Sequence, residues 1–129
     1  MQDKPLIQEL LSAAREHLLT QVIPELGDPG LRFRTRVAAN VLAIAERELA
    51  LAPVQSEVEY QRLVALLGEE QVELPLDRLT QELKDRVAAG EFDQDPERKA
   101  LIAHLMQTAL EKLKIANPRY LARVQAEDE

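Results

Sequence analysis

The sequence predicts an all-α protein, a compact five-helix bundle with a central, mostly buried second helix. Apolar residues recur at steps of three and four along the 129 residues, and no segment alternates with a period of two. Prolines and glycines divide this pattern into five helical segments. Hydrophobic residues make up 46% of the chain and charged residues 30%, which is enough apolar surface for the core of one domain.

The first helix is predicted from about Lys4 to Ile23, with Asp3 as its N-cap. Pro24 lacks an amide hydrogen, so the helix should kink or end there. The segment Gly27–Gly30 then separates it from the second helix. Its apolar face consists of Leu6, Leu10, Leu11, Ala14, Leu18 and Val22.

The second helix is predicted over Arg32–Ala52 and is apolar on most of its circumference. At 100° per residue, the large apolar face contains Phe33, Val37, Ala38, Val41, Leu42, Ile44, Ala45 and Leu49. A second face carries the small residues Thr35, Ala39, Ala43 and Ala50. A helix of this kind is usually buried on most sides, so we expect it at the centre of the bundle.

The third and fourth helices are delimited by capping and breaking residues. After Pro53, Ser56 and Glu59 have the spacing of a capping box, and Gly68 ends the third helix. The fourth helix is predicted from Pro75 to Gly90.

The fifth helix is predicted to begin at Asp95-Pro96 and to end at Asn117-Pro118. Its predicted buried face contains Leu101, Ile102, Leu105, Met106, Ala109, Leu110 and Leu113. A short helical turn over Pro118–Arg123 follows. We therefore predict one domain over residues 1–124 and a frayed acidic tail over residues 125–129.

Composition and charge exclude several classes of function. The chain has no cysteine, so thiolate chemistry is excluded and a reducing cytoplasm is expected. The net charge of −7 opposes binding to nucleic acid and to anionic membranes. Glu9 and Arg15 interrupt the first apolar segment, so a signal peptide is not predicted. No segment approaches the roughly 18 apolar residues of a membrane span.

No catalytic, metal or cofactor site is predicted. His17 lies within the apolar arc of the first helix, so we expect it to be packed. His104 shares a stripe with Glu97 and Glu111, but each lies one heptad away, about 10 Å along the axis, too far to share one ion. The hydroxyl residues and the four glycines form neither a nucleophile elbow nor a phosphate-binding loop. These patterns argue against an enzyme.

Three arginines at the start of the second helix are the strongest candidates for a binding site. Arg32, Arg34 and Arg36 lie at the positive end of the helix dipole, which disfavours each cation by about 0.3–1 kcal/mol. Nearby acids such as Asp28 can offset this cost. Alternatively, the arginines and the free amides of the first turn receive an anion, either a partner carboxylate or a phosphate.

Two further features extend this candidate site. Arg36, Asn40 and Arg47 form one polar stripe along a helix expected to be buried, so they must be paired internally or by a partner. We expect Asn40 to cap a neighbouring helix end or to brace a loop, in preference to ligand contact. Tyr120 is expected to anchor the tail, with an interface role as the alternative.

The segment Leu31–Ile44 (LRFRTRVAANVLAI), followed by Arg47-Glu48-Leu49, resembles the central helix of a bacterial family of domains designated DUF6285. The closing Asn117-Pro118-Arg119-Tyr120-Leu121 is similar to the final motif of that family. The segment from Pro5 to Leu26 and the stop at Leu66-Leu67-Gly68 also fit, so the likeness covers nearly the whole chain.

The resemblance implies a function as an accessory subunit. Members of the family are small companions of aminoglycoside-phosphotransferase-like kinases, often encoded beside acyl-CoA dehydrogenases. In levulinate-type catabolism such a companion supports a kinase that phosphorylates 4-hydroxyacyl-CoA. The resemblance carries over no catalytic residue, so we expect a non-catalytic partner of the kinase that completes or stabilises its acyl-CoA site.

The alternative hypothesis is a small-molecule module that binds coenzyme A esters through Arg32, Arg34 and Arg36. Self-association into a homo-oligomer also stays open, because the sequence does not decide between monomer and dimer.

Overall fold

The computed structural model describes residues 5–68 and 74–128 and is helical throughout its regular structure. The described residues contain five α-helices and no strand, which confirms the predicted all-α class. The helices are α1 (Ile7–His17), α2 (Pro29–Leu67), α3 (Leu76–Ala88), α4 (Glu97–Ala116) and α5 (Pro118–Glu127). None of them is long and apolar enough, within those ranges, to cross a membrane.

The chain forms two compact units. The first comprises the chain up to Ala52 together with Ile115–Asn117. The second comprises Pro53–Lys114 and the chain from Pro118 onwards.

The first helical segment follows the predicted course closely. After α1, the chain continues as a π-helical segment, Leu18–Val22, and a 3₁₀ turn, Ile23–Glu25. Pro24 lies in that last turn, and Leu26 leaves the helical conformation. The predicted N-cap Asp3 lies outside the described residues.

The predicted second and third helices are wrong as separate elements, because α2 is continuous from Pro29 to Leu67 and contains Pro53. A proline inside a helix costs about 3 kcal/mol through its missing hydrogen bond and its clash with the preceding turn. Contacts beyond the proline oppose this cost: Leu63 and Leu67 are buried, and Gln55 Nε2 donates to the Glu111 carbonyl at 3.0 Å. The proline marks the boundary between the two units rather than the end of a helix.

The prediction that the second helix is mostly buried is wrong for the first half of α2. Ala39 is only 2% exposed, whereas Phe33 is 66% exposed and Val37 and Val41 are also exposed. The small residues around Ala39 are therefore turned inward, with Thr35 and Ala43 half-buried, since alanine allows close backbone approach where larger residues do not; Ala50 is exposed. Glu46, on the same side, accepts from Arg15 of α1 at 2.9 Å.

The core of the second unit is a cluster of buried apolar side chains from α2, α3 and the loop after α3. Its members are Leu63, Leu67, Leu79, Leu83 and Phe92. Burial of each such side chain stabilises the fold by about 1.5–3 kcal/mol. Gly68, with a φ of 115°, ends α2 in the left-handed region that glycine adopts without strain, as predicted.

The predicted buried face of α4 is wrong in part: Leu101 packs against the core cluster and Leu110 and Leu113 are half-buried, but the most buried side chains lie on the opposite face. Ile102 and Leu105 are exposed and Met106 is 60% exposed, whereas His104 and Glu111 are only 6% and 8% exposed. This inversion depends on the hydrogen-bond partners of His104 and Glu111.

The C-terminal helix is longer than predicted. α5 runs to Glu127, beyond the expected end at Arg123, and its Leu121 is buried. The structure describes residues 125–128 of the predicted frayed tail, of which residues 125–127 are helical and Asp128 is in a turn.

Core and surface leucines of the second unit should differ sharply in their contribution to stability. Leu79→Ala removes a side chain with no exposed surface, so we expect the free energy of unfolding to fall by about 2–5 kcal/mol. Leu105→Ala, at a half-exposed position, should cost about 0.5 kcal/mol or less. Urea unfolding followed by circular dichroism measures both, and equal losses would contradict the assigned core.

Candidate functional site

The three arginines at the start of α2 do not form one cluster. Arg32 is half-buried, and its Nε atom is buried without a hydrogen-bond partner among the described residues. Arg34 and Arg36 are exposed. Because they lie two positions apart on a helix, their side chains leave on nearly opposite sides. Arg34 and Arg36 therefore cannot close jointly on one small anion.

Asp28 occupies part of the anion site that the sequence suggested. Its Oδ2 atom accepts from the Leu31 amide at 2.8 Å, as an N-cap does. The side chains of Asp28 and Arg34 both approach Gly30. A Cβ atom added at Gly30 would lie 3.4 Å from Asp28 Oδ2 and 3.5 Å from Arg34 Nη1. Asp28 therefore caps the first turn of α2, and none of the ion pairs within residues 5–68 and 74–128 joins it to Arg32, Arg34 or Arg36.

The polar stripe of Arg36, Asn40 and Arg47 divides into an exposed and an engaged part. Arg47 Nε donates to the Ile115 carbonyl, in the last turn of α4, at 2.7 Å. Arg47, not Asn40, therefore binds the end of a neighbouring helix. Asn40 is exposed, so the role expected for it is taken by Arg47.

Three of the exposed apolar side chains of α2 form a row, which we call the α2 stripe: Phe33, Val37 and Val41. They are spaced four residues apart, so they lie on one face of the helix over about 12 Å. Arg34 borders the row on one side, and Arg36 and Asn40 border it on the other. An apolar row with a polar, basic rim has the composition of a protein interface.

A buried polar network joins α2 to α4 within the second unit. Arg62 Nη1 donates to Glu111 Oε1 at 2.9 Å, and Nη2 donates to Thr108 Oγ1 at 2.9 Å and to Glu111 Oε2 at 3.3 Å. Arg62 Nε donates to His104 Nδ1 at 3.3 Å. One guanidinium group thus satisfies three side chains of α4, which explains why the polar face of α4 can be buried.

The charges in this network shift two pKa values. Burial lowers the pKa of His104 below its ordinary value of 6.5, and the neighbouring Arg62 lowers it further. Glu59 and Glu111 oppose this shift only in part. Burial by itself raises the pKa of Glu111, but the hydrogen bonds from Arg62 and Gln107, together with the positive charges of Arg62 and Lys114, outweigh it and lower the pKa below its ordinary value. The network therefore favours a neutral imidazole and an ionised carboxylate.

An open groove of about 500 Å³ lies beside Arg62 and His104. Its other lining residues are mostly small or apolar: Ala65, Leu66, Ala100, Ala103 and Gln107. Arg62 is already bonded to three side chains, so it has little capacity left for a ligand. Across residues 5–68 and 74–128, no three carboxylate or histidine side chains are placed to hold a metal ion. The arrangement is suited to holding two helices together.

Tyr120 lies in α5 and is half-exposed. The guanidinium carbon of Arg123 is 5.9 Å from the centre of its ring, within the range of a cation–π contact. Tyr120 belongs to the second unit, and the three arginines belong to the first.

The network of Arg62 is the feature that sequence reasoning missed. His104, Thr108 and Glu111 are spaced at four and three residues, so they mark one face of α4. That spacing could have indicated a polar face with a shared partner. Their shared partner, Arg62, lies 42 to 49 residues away in the sequence, so only the tertiary structure identifies it.

The lowered pKa of His104 predicts a pH dependence of stability. Above about pH 6.5 the imidazole is neutral in both states, so the full stability is present. As the pH falls below this range, His104 is protonated in the unfolded chain before it is protonated in the folded chain. The free energy of unfolding therefore decreases until the pH passes the pKa of His104 in the folded chain. Urea unfolding between about pH 7.5 and 5.5 should show this decrease, and His104→Gln should flatten it. An unchanged slope in the variant would contradict the assignment.

Comparison with known proteins identifies the family but no characterised relative. A family model described as "Domain of unknown function (DUF6285)" matches residues 24–120, which include the whole of α2, α3 and α4. No curated protein and no solved structure matches the chain. The chain belongs to the DUF6285 family.

Proposed function

We propose that the chain is a non-catalytic accessory subunit that binds and supports an aminoglycoside-phosphotransferase-like kinase acting on hydroxyacyl-CoA. The observation that carries the proposal is the α2 stripe. An ordered helix that turns its small residues inward and leaves Phe33, Val37 and Val41 exposed has an unpaired apolar face. The resemblance to companions of such kinases supports the identity of the partner.

The basic rim of the α2 stripe supports a contact with acidic groups of the kinase. Arg34 and Arg36 are exposed, and neither makes an ion pair with another residue of the described ranges. Arginine at an interface forms bidentate bonds to carboxylates. Phe33 is the natural anchor of the contact, because aromatic side chains are frequent at interface hot spots.

Co-purification with the kinase tests the proposal. The tagged chain, co-expressed with the phosphotransferase-like kinase encoded beside it, should retain that kinase through affinity and size-exclusion steps. Val37→Glu places a charge in the middle of the α2 stripe and should weaken the complex about tenfold or more. Val54→Glu is the matched control, since Val54 is 67% exposed and lies on α2 away from the stripe.

The kinase assay gives the second measurement. Adding the wild-type chain should raise the activity of the kinase on a hydroxyacyl-CoA, and Val37→Glu should lose that effect while its circular dichroism stays unchanged. Failure of the wild-type chain to bind the kinase, together with unchanged kinase activity, would sink the proposal.

The second candidate function is binding of coenzyme A esters through the same arginines. The exposed side chains of Arg34 and Arg36 favour it, because phosphates bind unpaired guanidinium groups. The cap that Asp28 places on the Leu31 amide weakens it, since one donor of the first turn is already used.

Calorimetry with acetyl-CoA separates this candidate from the first. If the site exists, the isolated chain binds the ester, and Arg34→Ala with Arg36→Ala weakens binding about tenfold or more, as expected from the loss of charge-assisted hydrogen bonds. Arg78→Ala, at an exposed position on α3, serves as the control. Binding that survives the double substitution would rule the arginine site out.

A further inference from the structure

A second unpaired apolar surface lies in the second unit, on α4 and in the groove between α3 and α4. Ile102, Leu105 and Met106 are exposed on one face of α4. Leu105 also lines a groove of about 340 Å³, which we call the α3–α4 groove. The groove is otherwise lined by Leu83, Lys84, Val87, Ala88 and Leu101.

The charges around this surface are basic, although the chain carries a net charge of −7. Lys84 lines the groove, and Arg98 and Lys112 lie seven residues on either side of Leu105, so the three α4 residues share one row of the helix. All three basic side chains are exposed, and none is ion-paired within residues 5–68 and 74–128.

The acids of α3 and α4 do not neutralise these three bases by any ion pair that the structure describes. Glu82 pairs with Arg86 at 3.0 Å, and Glu111 pairs with Arg62 on the buried side of α4. Three unpaired bases, Lys84, Arg98 and Lys112, therefore flank Leu105, while the exposed Asp77 lies one heptad before Lys84 on α3.

A second copy of the chain fits these three bases poorly. In an antiparallel pairing centred on Leu105, Arg98 lies opposite Lys112 of the other copy. In a parallel pairing, each base lies beside its own counterpart. Like charges placed together across an interface cost several kcal/mol, so either pairing is disfavoured. The three unpaired bases favour a partner that brings negative charge.

We propose that the α3–α4 groove and the exposed face of α4 bind an acidic amphipathic helix of a protein partner. Apolar side chains of such a helix, spaced at three and four residues, fill the groove and cover Leu105 and Met106. Its carboxylates pair with Lys84, Arg98 and Lys112. This surface is separate from the α2 stripe, and the inference does not depend on a kinase being the partner there.

Fluorescence anisotropy with a designed pair of peptides tests the inference on the full chain. The probe is a labelled helical peptide with leucine at helix-face spacing and glutamate at its polar positions, and the matched probe has lysine in place of each glutamate. The glutamate peptide should bind, at least tenfold more tightly than the lysine peptide, and its affinity should fall with added salt.

Variants assign the binding to this surface. Leu105→Glu should reduce the affinity for the glutamate peptide at least tenfold, and Arg98→Gln with Lys112→Gln should remove most of its salt dependence. Val37→Glu, in the α2 stripe, should leave the peptide affinity unchanged, which separates this inference from the proposed function. Circular dichroism confirms that each variant is folded.

Three outcomes would overturn the inference. They are the absence of binding by the glutamate peptide, equal binding of the two peptides, and an affinity that Leu105→Glu does not change. Sedimentation equilibrium supplies a further test, since a dimer of the wild type that Leu105→Glu dissociates would show that a second copy covers this surface.

Discussion

The hydrogen-bonded network of Arg62 is the constraint on which the second unit depends. It places one guanidinium group between α2 and three polar side chains of α4, at distances of 2.9 to 3.3 Å. Because a buried charge without partners is costly, the polar face of α4 can turn inward only where such a group meets it. Ile102, Leu105 and Met106 of α4 are then left exposed.

In the first unit, large apolar side chains of α2 are also exposed, but the buried side of the helix carries small residues. There, the small residues of α2 are turned inward around Ala39, and the Arg15–Glu46 ion pair lies on the same side. In the first half of α2 and in α4, large apolar side chains are therefore left exposed. Exposed apolar faces on ordered helices are typical of proteins that work by contact with other macromolecules, and this common feature supports an interaction function.

Local signals in the sequence predicted the helical class and most helix ends. Pro24, Gly68, Pro75, Gly90 and Asn117-Pro118 act through the backbone of their own neighbourhood, so they could be interpreted without tertiary contacts. Pro53 is the exception, because long-range packing overrides its local preference. The faces of α2 and α4 were mispredicted for the same reason: periodicity identifies a face but not what covers it. Arg32, Arg34, Arg36, Asn40, Arg47 and Tyr120 remain predictions as a binding site.

The division of the chain into its two units has a consequence for dissecting the protein. The polypeptide leaves the first unit at Ala52, returns to it for Ile115–Asn117, and then enters the second unit again. The hydrogen bond from Arg47 to the Ile115 carbonyl therefore joins two segments of the first unit that are distant in the sequence. Neither unit is a contiguous stretch of the chain, so a truncation at residue 52 would remove Ile115 and its hydrogen bond from the N-terminal piece. Two separate fragments would restore this hydrogen bond only by associating with each other. A circularly permuted chain would keep both segments in one polypeptide, whereas a deletion would remove one of them.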